Sequence, residues 1–182
     1  MMDVTGTTLG GLLLLRPKVF ADERGHFLEP FNAAAFARAT GITTPFVQDN
    51  ESCSKAGVLR GLHLQAPPHA QAKLVRVVHG AVLDVCLDLR PGSPTFGKHF
   101  IARLDSDKKE MLYIPEGMAH GFVALEENTI FQYKCSTYYA PSAERTILWD
   151  DPELGIDWGI KEPIVSAKDR AGMPMKARHW EK

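Results

Sequence analysis

LVRVVHGAVLDVCLDL, residues 74–89, decides the fold. Two runs rich in valine and leucine flank His79-Gly80, and β-branched residues favour the pleated backbone of a strand. In the second run Leu83, Val85, Leu87 and Leu89 fall on one face and Asp84, Cys86 and Asp88 on the other, the period of two that a strand imposes. The short connection predicts an antiparallel hairpin. Working outward, similar runs recur at GLLLLRP (11–17), FLEPF (27–31), VLRGLHLQ (58–65), KHFIARL (98–104), EMLYIP (110–115), GFVAL (121–125) and TIFQYKC (129–135). Strands this short and this frequent predict an all-β sandwich or barrel.

Helix is sparse. FNAAAFARAT (31–40) is the best candidate: Asn32 can cap it, alanines favour it and Gly41 ends it. After Trp149, WDDPELGIDWGI and IVSAKDRAG keep no sustained period, which predicts loops and a short helix packed on the barrel. Twelve prolines and fifteen glycines punctuate the apolar runs, with no linker, repeat or charge block, so one domain over 1–182 is expected.

A hydrophobic fraction of 45% and a net charge of −1 fit an ordinary globular chain with no general attraction to nucleic acid. Leu12–Leu15 is far short of the roughly 18 apolar residues that span a bilayer, and no leader pattern precedes it, so no membrane partner and a cytoplasmic location are expected. The three cysteines Cys53, Cys86 and Cys135 are odd in number and lack CxxC spacing, which argues against a disulfide framework or a zinc site.

Chemistry concentrates in FVQDNESCSKAGVLRGLHLQAPPHAQAK (46–73), which carries Gln48, Asn50, Arg60, His63 and Lys73. A base, two cations and two amides suit removal of a proton beside a carbonyl and stabilisation of the resulting oxyanion. Alternation would send Arg60 and His63 to opposite faces of their strand, so both enter one pocket only if Gly61 bends or bulges it. Lys73, at the start of an apolar strand, either meets an anion inside or snorkels to water. Tyr133 alternates with Phe131 and Cys135 and is expected to face the interior, and of Tyr138 and Tyr139 at least one is expected to pack in the core while an exposed ring could stack on a base. Asp169 is either a solvated loop carboxylate or the partner of His63, accepting its Nδ1 hydrogen bond.

A metal site is the competing reading. Metal-binding barrels of the cupin type use His-x-His, a nearby Glu and a later Pro-x-Gly-x-x-His. Here the first element reads His63-Leu64-Gln65, Gln71 stands where an acidic ligand is sought, and only Pro115-Glu116-Gly117-Met118-Ala119-His120 is intact. Two histidines fall short of the usual three or four ligands, so no metal is expected.

Taken in order, FADERGHFLEPF, FVQDN, GVLRGLHLQ, QAKLVRVVHGAVLDVCLDLRPGSPTFG, IPEGMAHGF, YKCSTYYAPSAE, ILWDDPELGIDW and SAKD resemble the dTDP-4-dehydrorhamnose 3,5-epimerase family from Phe20 to Asp169. The resemblance implies a cupin-like jelly roll with a few short helices, a homodimer, no cofactor, and a dTDP-sugar substrate epimerised at C3 and C5. It implies His63 as base, Asp169 as its partner and Tyr133 as acid, with Lys73 at the enolate oxygen. It also implies substrate contacts from Arg24, Glu29, Gln48, Asn50, Arg60, His120, Glu144 and Lys168, thymine stacking by Tyr139, and reach of Arg24 across the dimer. A relative acting at C3 or C5 alone and a non-catalytic nucleotide-sugar binder remain the alternatives.

Overall fold

The computed structural model describes residues 2–177; the one-domain expectation over 1–182 extends to residue 1 and to 178–182, outside the described residues. In chain order the elements are β1 (Met2–Gly6), β2 (Leu13–Pro17), β3 (Val19–Asp22), β4 (Gly25–Leu28), helix α1 (Ala33–Thr40), β5 (Gln48–Ser54), β6 (Val58–Gln65), β7 (Lys73–His79), β8 (Ala81–Asp88), β9 (His99–Asp105), β10 (Met111–Ile114), β11 (Met118–Ala124), β12 (Thr129–Cys135), β13 (Glu144–Thr146), β14 (Ile164–Val165) and the short helix α2 (Ala167–Arg170). One sheet runs β1-β2-β10-β7-β12-β5 and the other β13-β6-β11-β8-β9, with β14 joining β6 in parallel. Val75, Val77 and Phe131 of the first sheet meet Val82, Leu104 and Phe122 of the second in a sealed core. From β5 onward consecutive strands change sheet at nearly every step, the wiring of a jelly roll.

That wiring corrects the expected hairpin. β7 pairs with β10 and β12 whereas β8 pairs with β11 and β9, so His79-Gly80 turns a corner between sheets and joins no ladder between β7 and β8. Gly80 makes the corner with φ +78, and a Cβ there would lie 2.5 Å from the Thr129 hydroxyl. Alternation reveals which residues share a face but carries no information on which strand lies alongside.

The face split in β8 holds, with an unexpected sense. Leu83, Val85, Leu87 and Leu89 point out of the sandwich, and Asp84 and Cys86 point into it. The outward leucines are nonetheless covered, because Ile147, Leu154, Trp158 and Val165 of the irregular C-terminal stretch pack over them. Trp158 is fixed by its indole N–H donating to the Trp149 carbonyl at 2.9 Å. Each leucine sealed this way is worth about 2 kcal/mol, enough to hold a chain segment that makes few ladder bonds of its own. The expected loops and short helix are therefore the lid of one sheet.

α1 covers the outer face of the other. The Asn32 side chain accepts from the Ala35 N–H at 3.0 Å, and Gly41, at φ 75, donates to the Ala37 carbonyl, so both ends fall where the sequence put them. Phe36 buries against Phe31, Phe46 and Tyr113, alongside Leu15, Leu74 and Met111. Strands β1, β3, β5, β13 and β14 had no sequence signal: β5 reads QDNESCS, an edge strand bonded to β12, with no apolar alternation to betray it. FLEPF is strand only through Leu28. Among the described residues no helix is long and apolar enough to cross a membrane, and the three cysteines are free.

Candidate active site

The bend expected at Gly61 is present. Opposite β11, His63 aligns with His120 but Arg60 with Phe122, so β6 spends one extra residue there. Gly61 has φ +134; a Cβ on it would lie 2.5 Å from the Gly121 Cα, and one on Gly121 would lie 2.8 Å from the Arg60 carbonyl. Two glycines facing each other let the backbones close. In consequence Leu59 and Leu62 both point outward into the covered face, and Arg60 and His63 both point inward.

They enter a cavity of about 530 Å³. Arg60, His63, His120 and Glu144 come from one sheet, Lys73 and Tyr133 from the other, and Lys168 and Asp169 from the C-terminal stretch. A second hollow of about 290 Å³ shares His63, Lys73, Tyr133 and Glu144 with the first and adds Gln48, Asn50 and Tyr139. Arg24 and Glu29 are the two candidates that this chain does not bring to the site. Arg24 sits exposed at the tip of the β3–β4 ribbon, paired with Asp22, and Glu29 lines a separate surface hollow with Phe20 and Phe27.

His63 and Asp169, 106 residues apart in sequence, meet at 2.6 Å. The expected contact was Nδ1; the observed one is Nε2, because α2 approaches the ring from the Gly61 side, where Asp169 also accepts the Gly61 N–H at 3.4 Å. With Nε2–H donating to the carboxylate, the ring's lone pair lies on Nδ1. Burial alone would raise the Asp169 pKa, but the hydrogen bond and charge of His63 and the Gly61 N–H more than offset this, and it is held below the usual carboxylate value. Asp169 stays an anion.

Lys73 is buried, with its ammonium 3.4 Å from the His63 carbonyl, so the snorkelling reading is set aside. Burial lowers its pKa, and the neighbouring Cys135, Cys86, Glu144 and Asp84 restore only part of the loss. Tyr133 faces the interior as expected; burial raises its pKa, with Cys135 adding and Arg60 opposing, so it remains a protonated phenol. Neither Tyr138 nor Tyr139 packs in the core: both rings are exposed because their segment has left the sheet for the rim. The Tyr139 hydroxyl donates to Glu144 at 2.8 Å, and Lys168 donates to the other Glu144 oxygen at 2.5 Å. Burial pushes the Glu144 pKa up, and these two donors bring it net below the usual value.

The sequence reading missed Asp84. It is fully buried and accepts from His120 Nε2 at 2.8 Å, a second histidine–carboxylate pair on the strand next to His63, with the His120 ring stacked on Phe131 at 5.9 Å. Its signal was there: a carboxylate inside an apolar strand, on the face with Cys86. Gln65, where metal-binding cupins carry their second histidine, is committed to backbone groups at His69, Tyr138 and Ala140, and Gln71 donates to the Thr137 carbonyl at 2.7 Å. Among the described residues no three His, Cys, Asp or Glu side chains gather as metal ligands.

A family model described as dTDP-4-dehydrorhamnose 3,5-epimerase matches residues 6–177. The chain belongs to the dTDP-4-dehydrorhamnose 3,5-epimerase family. It is 50% identical over 172 residues to the dTDP-4-dehydrorhamnose 3,5-epimerase of Salmonella typhimurium, covering 94% of each chain. The solved 3,5-epimerase of Legionella pneumophila, in complex with dTDP-4-keto-L-rhamnose, superposes with a TM-score of 0.95 at 43% identity, over 100% of this chain and 96% of that one. A 3'-monoepimerase of Streptomyces bikiniensis, in complex with dTDP-quinovose, matches at 0.89 and 35% over 93% and 86%. The all-β, cupin-like jelly roll is thus the architecture of the dTDP-4-dehydrorhamnose 3,5-epimerase family in this chain as in its relatives.

Proposed function

We propose that the chain is a 3,5-epimerase that converts dTDP-4-dehydro-6-deoxy-glucose to dTDP-4-dehydro-rhamnose. The observation that carries this is the His63–Asp169 pair on one sheet's side of the cavity, across from Tyr133 on the other sheet, with the buried Lys73 beside them. The sugar's C4 ketone acidifies the protons on C3 and C5. His63, its ring oriented by Asp169, takes a proton through Nδ1, and the electron pair left on carbon moves to the C4 oxygen as an enolate. Lys73 supports that oxyanion; its buried ammonium, short of partners in the free protein, gains one as charge develops. Tyr133 returns a proton to the opposite face, which inverts the centre; the His63 imidazolium then gives its proton to solvent and the tyrosinate takes one from solvent, so that base and acid are both reset before the cycle repeats at the second carbon.

Arg60, His120, Gln48, Asn50, Glu144 and Lys168 would hold the nucleotide sugar, with Tyr139 under the thymine. Arg24 and Glu29 would serve the site of a second copy in a homodimer, which is why they stand away from the cavity of their own chain. Free cysteines fit a reducing, cytoplasmic setting. The likeness to a 3'-monoepimerase favours a second reading, epimerisation at one carbon only. Incubation with dTDP-4-dehydro-6-deoxy-glucose in deuterated water, followed by NMR, separates them: solvent label at C3 and C5 is expected, label at one carbon supports the monoepimerase, and no label with tight dTDP binding sinks both.

A further inference from the structure

Gln65 lies on β6 two residues beyond His63, buried, with a side chain that makes three hydrogen bonds to main chain on two other segments. Its Nε2 donates to the His69 carbonyl at 2.7 Å and to the Tyr138 carbonyl at 3.3 Å, and its Oε1 accepts from the Ala140 N–H at 2.7 Å. The Tyr139 N–H, in turn, donates to Gln48 Oε1 at 3.0 Å. The peptide unit before the Tyr139 Cα is therefore held at both its carbonyl and its N–H, and the unit after it at its N–H. Two fixed peptide planes fix the backbone angles between them, while the ring they carry stays half exposed at the rim.

From this we infer that Gln65 is a positioning residue for the Tyr139 ring, setting the platform on which a nucleobase stacks; the inference rests on the nucleotide-sugar reading of the site. The chemistry singles out an amide. Two carbonyls need donors and one N–H needs an acceptor, and only a side chain carrying both a carbonyl and an NH₂ meets all three. Histidine offers one donor and one acceptor, glutamate no donor, and leucine neither. The position that a metal-binding cupin gives to a ligand is here spent on holding a loop. Ordering that loop before the ligand arrives removes an entropy cost from binding, so the effect belongs to affinity.

The test is a double-substitution cycle on dTDP affinity, read by titration calorimetry. Gln65→Leu is expected to weaken dTDP binding about tenfold, Gln65→Glu about as much, and Tyr139→Ala about tenfold as well. Gln65→Leu combined with Tyr139→Ala is expected to bind no more weakly than Tyr139→Ala alone, because a platform without its ring has nothing to position. A merely structural glutamine would give additive losses, and that outcome, or unchanged dTDP affinity in Gln65→Leu and Gln65→Glu, overturns the inference. Should Gln65→Leu fail to fold, Gln65→Glu with and without Tyr139→Ala completes the same cycle. Failure of the unsubstituted protein to bind dTDP at all would overturn the nucleotide-sugar reading first, and the inference with it.

Discussion

At the scale of single residues the cavity is governed by which charges are satisfied. Asp169 is satisfied, and its value lies in the tautomer it enforces on His63. Asp169→Asn would let an amide donate to Nε2 and move the ring proton to Nδ1, where the proposed mechanism uses the lone pair. We expect turnover to fall at least about a hundredfold with dTDP affinity nearly kept, checked by steady-state kinetics beside calorimetry. Lys73 is the opposite case, a buried cation that in the proposed reaction meets a charge appearing only during turnover. Lys73→Met should abolish most turnover yet leave the fold as stable or about 1 kcal/mol more stable. The folded chain binds this proton less tightly than the unfolded chain, so the penalty is full below the lowered folded pKa and fades as pH climbs to the ordinary 10.5. Urea titrations at neutral pH and near pH 10 should show the variant's advantage narrowing, and a constant margin would contradict the assignment. That His63, Lys73 and Tyr133 line one cavity was readable because chemistry-bearing residue types interrupt apolar strands. Asp84 interrupts one as visibly, but its partner His120 lies 36 positions away, and nothing in one sequence states that distant strands are neighbours.

β6 was legible down to its bulge, since only a bend at Gly61 reconciles Arg60 and His63 with one pocket. Gly61→Ala would force a Cβ to 2.5 Å from the Gly121 backbone at a φ that L-residues avoid. We expect a loss of about 3 kcal/mol in urea unfolding together with turnover reduced beyond what the folded fraction explains, because Arg60 and His63 would again diverge. α1 was legible at both ends because its caps are local, written within ten residues. The 74–89 hairpin failed for the converse reason: a sandwich buries strands on both sheets alike, and a two-residue connection serves a corner as well as a hairpin. Edge strands such as β5 escaped notice because an edge with a polar face gives periodicity no apolar residues to act on.

The whole molecule presents one feature that a lone chain does not explain. Among the described residues β3 and β4 pair only with each other, and their Phe20 and Phe27 rings, 53% and 68% exposed, lie 6.4 Å apart on a ribbon tipped by Arg24. In the proposed homodimer this ribbon meets the other copy. Phe20→Asp with Phe27→Asp should therefore shift sedimentation from dimer to monomer and reduce turnover, and a wild-type protein that sediments as a monomer at micromolar concentration would remove the argument. Sheet membership lies beyond periodicity, as would any contact with a second copy, whereas the overall all-β character did not, since strand length and turn frequency repeat along the entire chain. The span of 106 residues between His63 and Asp169 has its own consequence during synthesis. A ribosome has synthesised β1 through β13 before the codon for residue 169 is read, so most strands of the sandwich exist before the carboxylate does. Until then His63 has no orienting carboxylate and the leucines of β8 lack part of their cover, so on the proposed mechanism a chain terminated before residue 147 is expected to be inert and to associate through that uncovered face. The segment 147–169 thus both covers the outer face of β8 and supplies the carboxylate that orients His63.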